Sequence, residues 1–177
     1  FFLALQVKDM NQALLMGVEE AVPAPIGSVC RGLLQIGLNS LGNNAQLGNV
    51  LGLKAESRFG DQDLGFLGRW AQGRERVSAQ ALARHLETRL QRAVVSVEGS
   101  QCAIDRIAWC SGGAQGYFEA AIAAGAQAFI TGEISEPQAH LARECGVSFL
   151  ACGHHATERY GAPAVAAHRC LLPLSRG

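Results

Sequence analysis

The chain has 177 residues, of which 49% are hydrophobic and 17% charged. That is enough for one domain or two small ones with real cores, and too apolar for a disordered chain. Its 15 basic and 15 acidic residues cancel, which argues against a protein whose main work is gripping nucleic-acid backbone or docking on an anionic membrane.

The first apolar stretch, Phe1-Phe2-Leu3-Ala4-Leu5, has no basic flank and meets Lys8-Asp9 soon after. It is a poor signal peptide, and no apolar run approaches the ~18 residues that span a bilayer. The chain begins with Phe, not Met, so it is expected to be part of a longer translated protein. Leu3, Val7, Met10, Leu14 and Val18 recur every three or four residues and predict an amphipathic helix ended by Pro23 and Pro25. The Gly-rich apolar segment from Gly27 to Ser40 has no assignable period. Asn43 or Asn44 is expected to cap a short helix through Leu51, with Gly52 closing it. Residues 54–77 read as short strands and turns around Phe59, Leu64, Phe66 and Leu67. Ser78 is expected to cap a helix with Leu82, Leu86 and Leu90 on one face, and Val94, Val95 and Val97 to form a strand.

From residue 104 the pattern is regular. The apolar run Ile104–Cys110 is followed by Ser111-Gly112-Gly113 and an Ala-rich helix over 116–124. Ala128–Thr131 is followed by Gly132-Glu133 and a helix over Pro137–Cys145. Val147–Cys152 is followed by Gly153-His154-His155 and a helix to about Cys170. Three strand–loop–helix units with continuously apolar strands predict an α/β fold with a mostly parallel sheet flanked by helices.

In such sheets ligands bind beyond the carboxyl ends of the strands. Here those ends carry Ser111, Gly112, Gly113, Gly132 and Gly153, where a ligand can approach backbone closely, and each following helix aims its positive end at the same place. His154 and Glu158 are four apart, so on a helix they share a face and can hold one divalent cation; by itself this spacing is more often a solvated helix face. Glu133 reads equally as an acid favoured at a helix start and as a general acid/base. His155 points elsewhere on its turn, and His85, His140 and His168 are expected on exposed surfaces. No dinucleotide-binding glycine motif, phosphate-binding lysine loop or nucleophile elbow is present, and aromatics are 6% with no basic interleaving, so no nucleic-acid partner is expected. None of the six cysteines forms a Cys-x-x-Cys pair, which predicts reduced thiols in a cytoplasmic setting.

Four segments in order carry a family resemblance: Leu41-Gly42-Asn43-Asn44-Ala45-Gln46-Leu47, Ile107-Ala108-Trp109-Cys110-Ser111-Gly112-Gly113, Ala128-Phe129-Ile130-Thr131-Gly132-Glu133-Ile134-Ser135 and Gly153-His154-His155-Ala156-Thr157-Glu158-Arg159. Together the chain resembles the NIF-type dinuclear-metal-centre family, also known as GTP cyclohydrolase I type 2 homologues, in its short bacterial form. The resemblance runs from Leu41 to the C-terminus. It implies a NIF-like fold of two similar α/β lobes, with 1–53 a remnant of the first lobe and 54–177 the second. It implies a hexameric ring, a trimer of dimers, with two divalent cations (zinc, iron or manganese) per subunit. His154 and Glu158 inherit the role of metal ligands from the last motif.

Family members carry further ligands on an N-terminal His-His pair and on a His- and Asp-bearing segment just before the first motif. Here Gly37-Leu38-Asn39-Ser40 runs directly into Leu41, and no histidine precedes His85. The expectation is that the remaining ligands stand in segments absent from this sequence; the alternative is a chain with half a metal site. The resemblance implies a metal-dependent hydrolase of a nucleotide-like or phosphorylated small molecule, with Glu133 as acid/base and Ser111, Gly112, Gly113 and Gly132 binding substrate. The other reading is a non-catalytic metal-binding ring that serves as a scaffold or regulatory interaction protein.

Overall fold

The structure, a computed structural model, describes residues 42–72, 76–100, 103–161, 163 and 164. The expected helix over Leu3–Val18 and the Gly-rich segment to Ser40 lie outside the described residues. The first helix, α1, is Asn43–Leu51. Gly52, at φ 74°, closes it as expected. Its N-cap is Gly42, and neither asparagine caps it through its side chain. Both amides are engaged elsewhere: Gly161 N–H donates to Asn43 Oδ1 at 3.1 Å, and Asn44 Nδ2 donates to Leu64 O at 2.7 Å.

A hairpin follows. Strand β1, Leu53–Phe59, pairs antiparallel with β2, Gly65–Trp70, across a short turn at Asp61–Asp63. Helix α2, Ala79–Leu90, starts as its sequence requires: Ser78 Oγ accepts the Ala81 N–H at 3.1 Å. Leu82, Leu86 and Leu90 are buried on one face. Strand β3 is Val95–Val97 and β4 is Ile107–Trp109. Strand β4 is shorter than the apolar run that announced it, because Ile104 bridges back to Val77 instead of joining the sheet. Then come α3 (Phe118–Ala123), β5 (Ala128–Thr131), α4 (Glu136–Cys145), β6 (Ser148–Ala151) and α5 (His154–Glu158). Helix α5 is one short run that caps at Arg159, not the continuous helix expected towards Cys170; residues from 165 on lie outside the described ones.

The six strands form one sheet in the order β1-β2-β4-β5-β6-β3. Strands β4, β5 and β6 are mutually parallel, while β2 joins β4, and β3 joins β6, antiparallel. Four strands, β1, β4, β5 and β6, therefore run in one direction. The parallel strands alternate between two cores. Ile107, Trp109, Ala128, Ile130, Leu150 and Cys152 pack with α1 and α2 on one face. Ala108, Cys110, Phe129, Phe149 and Ala151 pack with α3 and Ala142 of α4 on the other. Burial on both faces is what makes these strands continuously apolar in sequence.

Two aromatic groups centre the faces. Phe118, Phe129 and Phe149 form a triad with centroids 4.9–5.8 Å apart. Trp109 stacks on Phe66 at 5.5 Å and donates its indole N–H to Asn44 O at 2.8 Å. The indole lies directly under α1, where a Cβ on Gly48 would come within 2.8 Å of Trp109 Cζ2. Glycine at 48 is thus what lets α1 lie close to the sheet. This contact brings Asn44 to the carboxyl end of β4, where the candidate site begins.

Candidate metal centre

Beyond their last paired residues, the three parallel strands stay in step. Gly132 N–H donates to Gly112 O at 2.9 Å, and Gly153 N–H donates to Gly132 O at 2.8 Å. The three strand-end glycines form one row. Space leaves no alternative at its centre: a Cβ on Gly132 would lie 2.6 Å from Gly112 O and 2.8 Å from His154 Cα. Two fully buried threonines tie the row together. Thr131 Oγ1 donates to Gly112 O at 3.1 Å, and Gly112 N–H donates to Thr157 Oγ1 at 2.9 Å. At the outer end, Ser111 N–H donates to Asn44 Oδ1. A helix, three loops and a helix turn are thereby locked around one spot.

His154, the first residue of α5, faces that spot between two carboxylates. Glu133 Oε1 lies 2.6 Å from His154 Nδ1, and Glu158 Oε2 lies 3.2 Å from His154 Nε2. The Glu133 carboxylate bonded to the ring raises the His154 pKa above its ordinary value; slight desolvation opposes this, and the Glu158 charge adds to it. The His154 side chain is 52% exposed and that of Glu158 is 27% exposed, so the pair opens to solvent.

The arrangement suits a divalent cation on the Nε2 side. Two ligand atoms each about 2.1 Å from one ion stand about 3.0–3.4 Å apart at octahedral or tetrahedral angles, and Nε2 and Oε2 are 3.2 Å apart. The space beside them is kept clear by Gly112, at φ 70°. A Cβ there would lie 3.2 Å from His154 Nε2, 3.0 Å from Glu158 Cδ and in collision with Glu158 Oε1. Glu133 is on the other side of the ring, so the three side chains do not converge. Among the described residues, no group of three or more His, Cys, Asp or Glu side chains could hold an ion. A cation held between His154 and Glu158 would need further ligands.

The structure thus brings Ser111, Gly112, Gly113, Gly132, Glu133, His154 and Glu158 to one edge of the sheet. Gly113 is exposed, and its Cβ direction points at Glu133 Oε2, 3.4 Å away. His155 and His140 are exposed. His85, expected on an open helix face, is instead half-buried: its Nε2 meets Leu51 O at 2.8 Å and its ring stands edge-on to Trp70. It fastens α2 to the end of α1. Cys110 and Cys152 are buried free thiols, pushed up by burial to about 11 and about 12, while Cys145 is exposed; the other three cysteines lie outside the described residues.

Sequence reasoning missed four residues of the site. Thr131 and Thr157 read as ordinary strand and helix residues, and Asn44 as a cap. Arg92 lies far from the motifs in sequence. The pairing of Val95 with Ala151 carries it to the carboxyl end of β6, where its guanidinium lies against Gly153. Asn44, Thr131 and Thr157 each lie within one of the four motifs, which is the only signal that could have found them; Arg92 lies outside all four.

The chain is an α/β protein with a histidine and a carboxylate at the carboxyl edge of its sheet. It has known relatives. The model of the DUF34/NIF3 (NGG1p interacting factor 3) family matches residues 38–169, and the chain belongs to this family. It is 52% identical over 127 residues to a GTP cyclohydrolase 1 type 2 homolog of Neisseria meningitidis serogroup B, covering 72% of this chain and 50% of that protein. It is 47% identical over 128 residues to the protein of the same name from Pseudomonas aeruginosa, covering 71% and 49%. Among solved structures, protein ybgI, described as of unknown function, superposes with a TM-score of 0.68 at 39% identity, over 73% of this chain and 51% of that one. TTHA1606 from Thermus thermophilus superposes with a TM-score of 0.60 at 26% identity, over 73% and 50%. The chain spans about half the length of the relatives it matches.

Proposed function

We propose that this chain contributes one side of a dinuclear divalent-metal centre in a metal-dependent hydrolase acting on a nucleotide-like or phosphorylated small molecule. The observation that carries the reading is the 3.2 Å separation of His154 Nε2 and Glu158 Oε2 beside the space that Gly112 leaves open. His154 and Glu158 would hold one of two cations (zinc, iron or manganese), together with further ligands. Bound cations would supply Lewis acidity and a water acidic enough to attack near neutral pH.

The chain's own residues serve the substrate. The backbone at Ser111, Gly112, Gly113 and Gly132 is open to close approach. Arg92, which makes no ion pair among the described residues, stands at the same edge of the sheet and suits an anionic group. Glu133 has one carboxylate oxygen on His154 and the other towards Gly113, where it can take or give a proton. The relatives' name, GTP cyclohydrolase 1 type 2 homolog, supports a nucleotide-like substrate. Among the described residues no helix is long and apolar enough to cross a membrane. The three described thiols are free, which supports a cytoplasmic setting.

Elemental mass spectrometry of the purified protein tests the reading. The expected result is about two transition-metal ions per chain, falling on His154→Ala and on Glu158→Ala, together with metal-dependent hydrolysis of nucleotides or phosphoesters. No metal after incubation with zinc, iron and manganese overturns it. The second reading is a non-catalytic metal-binding ring that serves as a scaffold or regulatory interaction protein. It predicts metal uptake and hexamers in sedimentation without turnover, and Glu133→Ala without consequence for any reaction.

A further inference from the structure

We infer that Glu133 is a positioning residue that selects the tautomer of His154, leaving Nε2 free to face a cation. The inference rests on the reading of His154 as a ligand. A neutral imidazole has one proton for two nitrogens. Here each nitrogen faces a carboxylate, so Glu133 and Glu158 compete for that proton. The Glu133 contact is 2.6 Å and the Glu158 contact 3.2 Å; the shorter charge-assisted bond wins. The proton rests on Nδ1. Nε2 then presents its lone pair, beside a Glu158 carboxylate that has lost its claim on the proton. In the other tautomer Nε2–H would bond Glu158, and both donor atoms would be masked at once.

Among the described residues, only Glu133 and Glu158 bond the ring nitrogens. The His154 ring is more than half exposed, so no apolar wall holds its orientation. Glu133, by contrast, follows Gly132, whose N–H and C=O are both bonded within the glycine row. The row fixes the backbone next to Glu133, whose carboxylate then reaches Nδ1 at 2.6 Å. A carboxylate on the outer nitrogen of a ligating histidine is a general device for fixing its direction.

Two measurements decide it. The first is zinc affinity by competition titration for the wild type, Glu133→Ala, Glu133→Gln and, as a control for loss of one acid on the same rim, Glu136→Ala. The second is the ¹⁵N spectrum of the His154 ring in metal-free protein at a pH where the ring is neutral. Glu133→Ala is expected to weaken zinc binding roughly 10–100-fold and to raise the Nε2–H tautomer. Glu133→Gln, which keeps an acceptor oxygen, should retain the Nδ1–H tautomer and lose less affinity, and Glu136→Ala should stay within about twofold of wild type. Unchanged affinity or an unchanged tautomer in Glu133→Ala overturns the inference. Lost affinity without a tautomer change would make Glu133 itself a ligand and equally overturns it. A wild type that binds no zinc, iron or manganese would instead remove the metal reading beneath it.

Discussion

At the scale of single residues, the site depends on what is absent from position 112 as much as on what stands at 154 and 158. A methyl group there would collide with the Glu158 carboxylate, crowd His154 Nε2 and impose an L-residue on φ 70°. Gly112→Ala is expected to cost about 1–2 kcal/mol in denaturant unfolding and to weaken metal binding at least about tenfold, because displaced donors no longer share one ion. Thr157→Val removes the acceptor of the buried Gly112 N–H; urea titration should show a loss of about 1–3 kcal/mol. The His154 proton has consequences of its own. Its folded pKa is raised, chiefly by the Glu133 bond, so its contribution to stability is complete below the unfolded value and is lost as pH rises through the folded one. In the metal-free protein, stability should therefore fall slightly across that window, a small effect for a ring this exposed. Metal affinity should do the opposite and rise with pH as the ring loses its proton, which zinc titrations at a series of pH values will show.

At the scale of elements, the closeness of α1 to the sheet decides where the first loop of the site begins. Trp109 fills the gap under Gly48 and holds Asn44 through its indole N–H, and Asn44 holds Ser111. Gly48→Ala would push α1 off the indole and is expected to cost about 1–3 kcal/mol by chemical denaturation. It should also move the Ser111 amide resonance, a change that a substitution of equal cost on α2 would not produce. Ser78→Ala is that comparison: it removes the α2 cap and should cost about 1 kcal/mol while leaving the site's resonances in place. Helix α2 and its Leu82, Leu86 and Leu90 stripe were legible in sequence because cap and period are local signals. The function of Asn44 was not, since a side chain that bonds across 67 positions leaves no local pattern.

At the scale of the whole molecule, one sheet with helices on both faces aligns three strand ends, and the site is the product of that alignment. Parallel pairing puts residues 111–113, 132–133 and 153–154 at a single edge, and the antiparallel strand β3 adds Arg92 from a distant part of the chain. If Arg92 receives the anionic part of a substrate, Arg92→Ala should raise KM for a phosphorylated substrate with little change in kcat. The balanced charge of the chain predicts no salt-dependent retention on immobilised DNA near neutral pH.

The sequence by itself determined the three strand–loop–helix units, the positions of their glycine loops, and the pair His154 and Glu158. Each is written in local periodicity, in turn residues or in an i, i+4 spacing, signals that survive without any partner. Tertiary structure alone decided the rest. It joined the β1–β2 hairpin to one flank of the sheet and β3 to the other through antiparallel pairings, turned His85 into a fastener, and set Glu133 on the imidazole of His154. Those outcomes depend on which strand lies beside which, and strand pairing is settled by the packing of two cores on the sheet, not by residues adjacent in the chain.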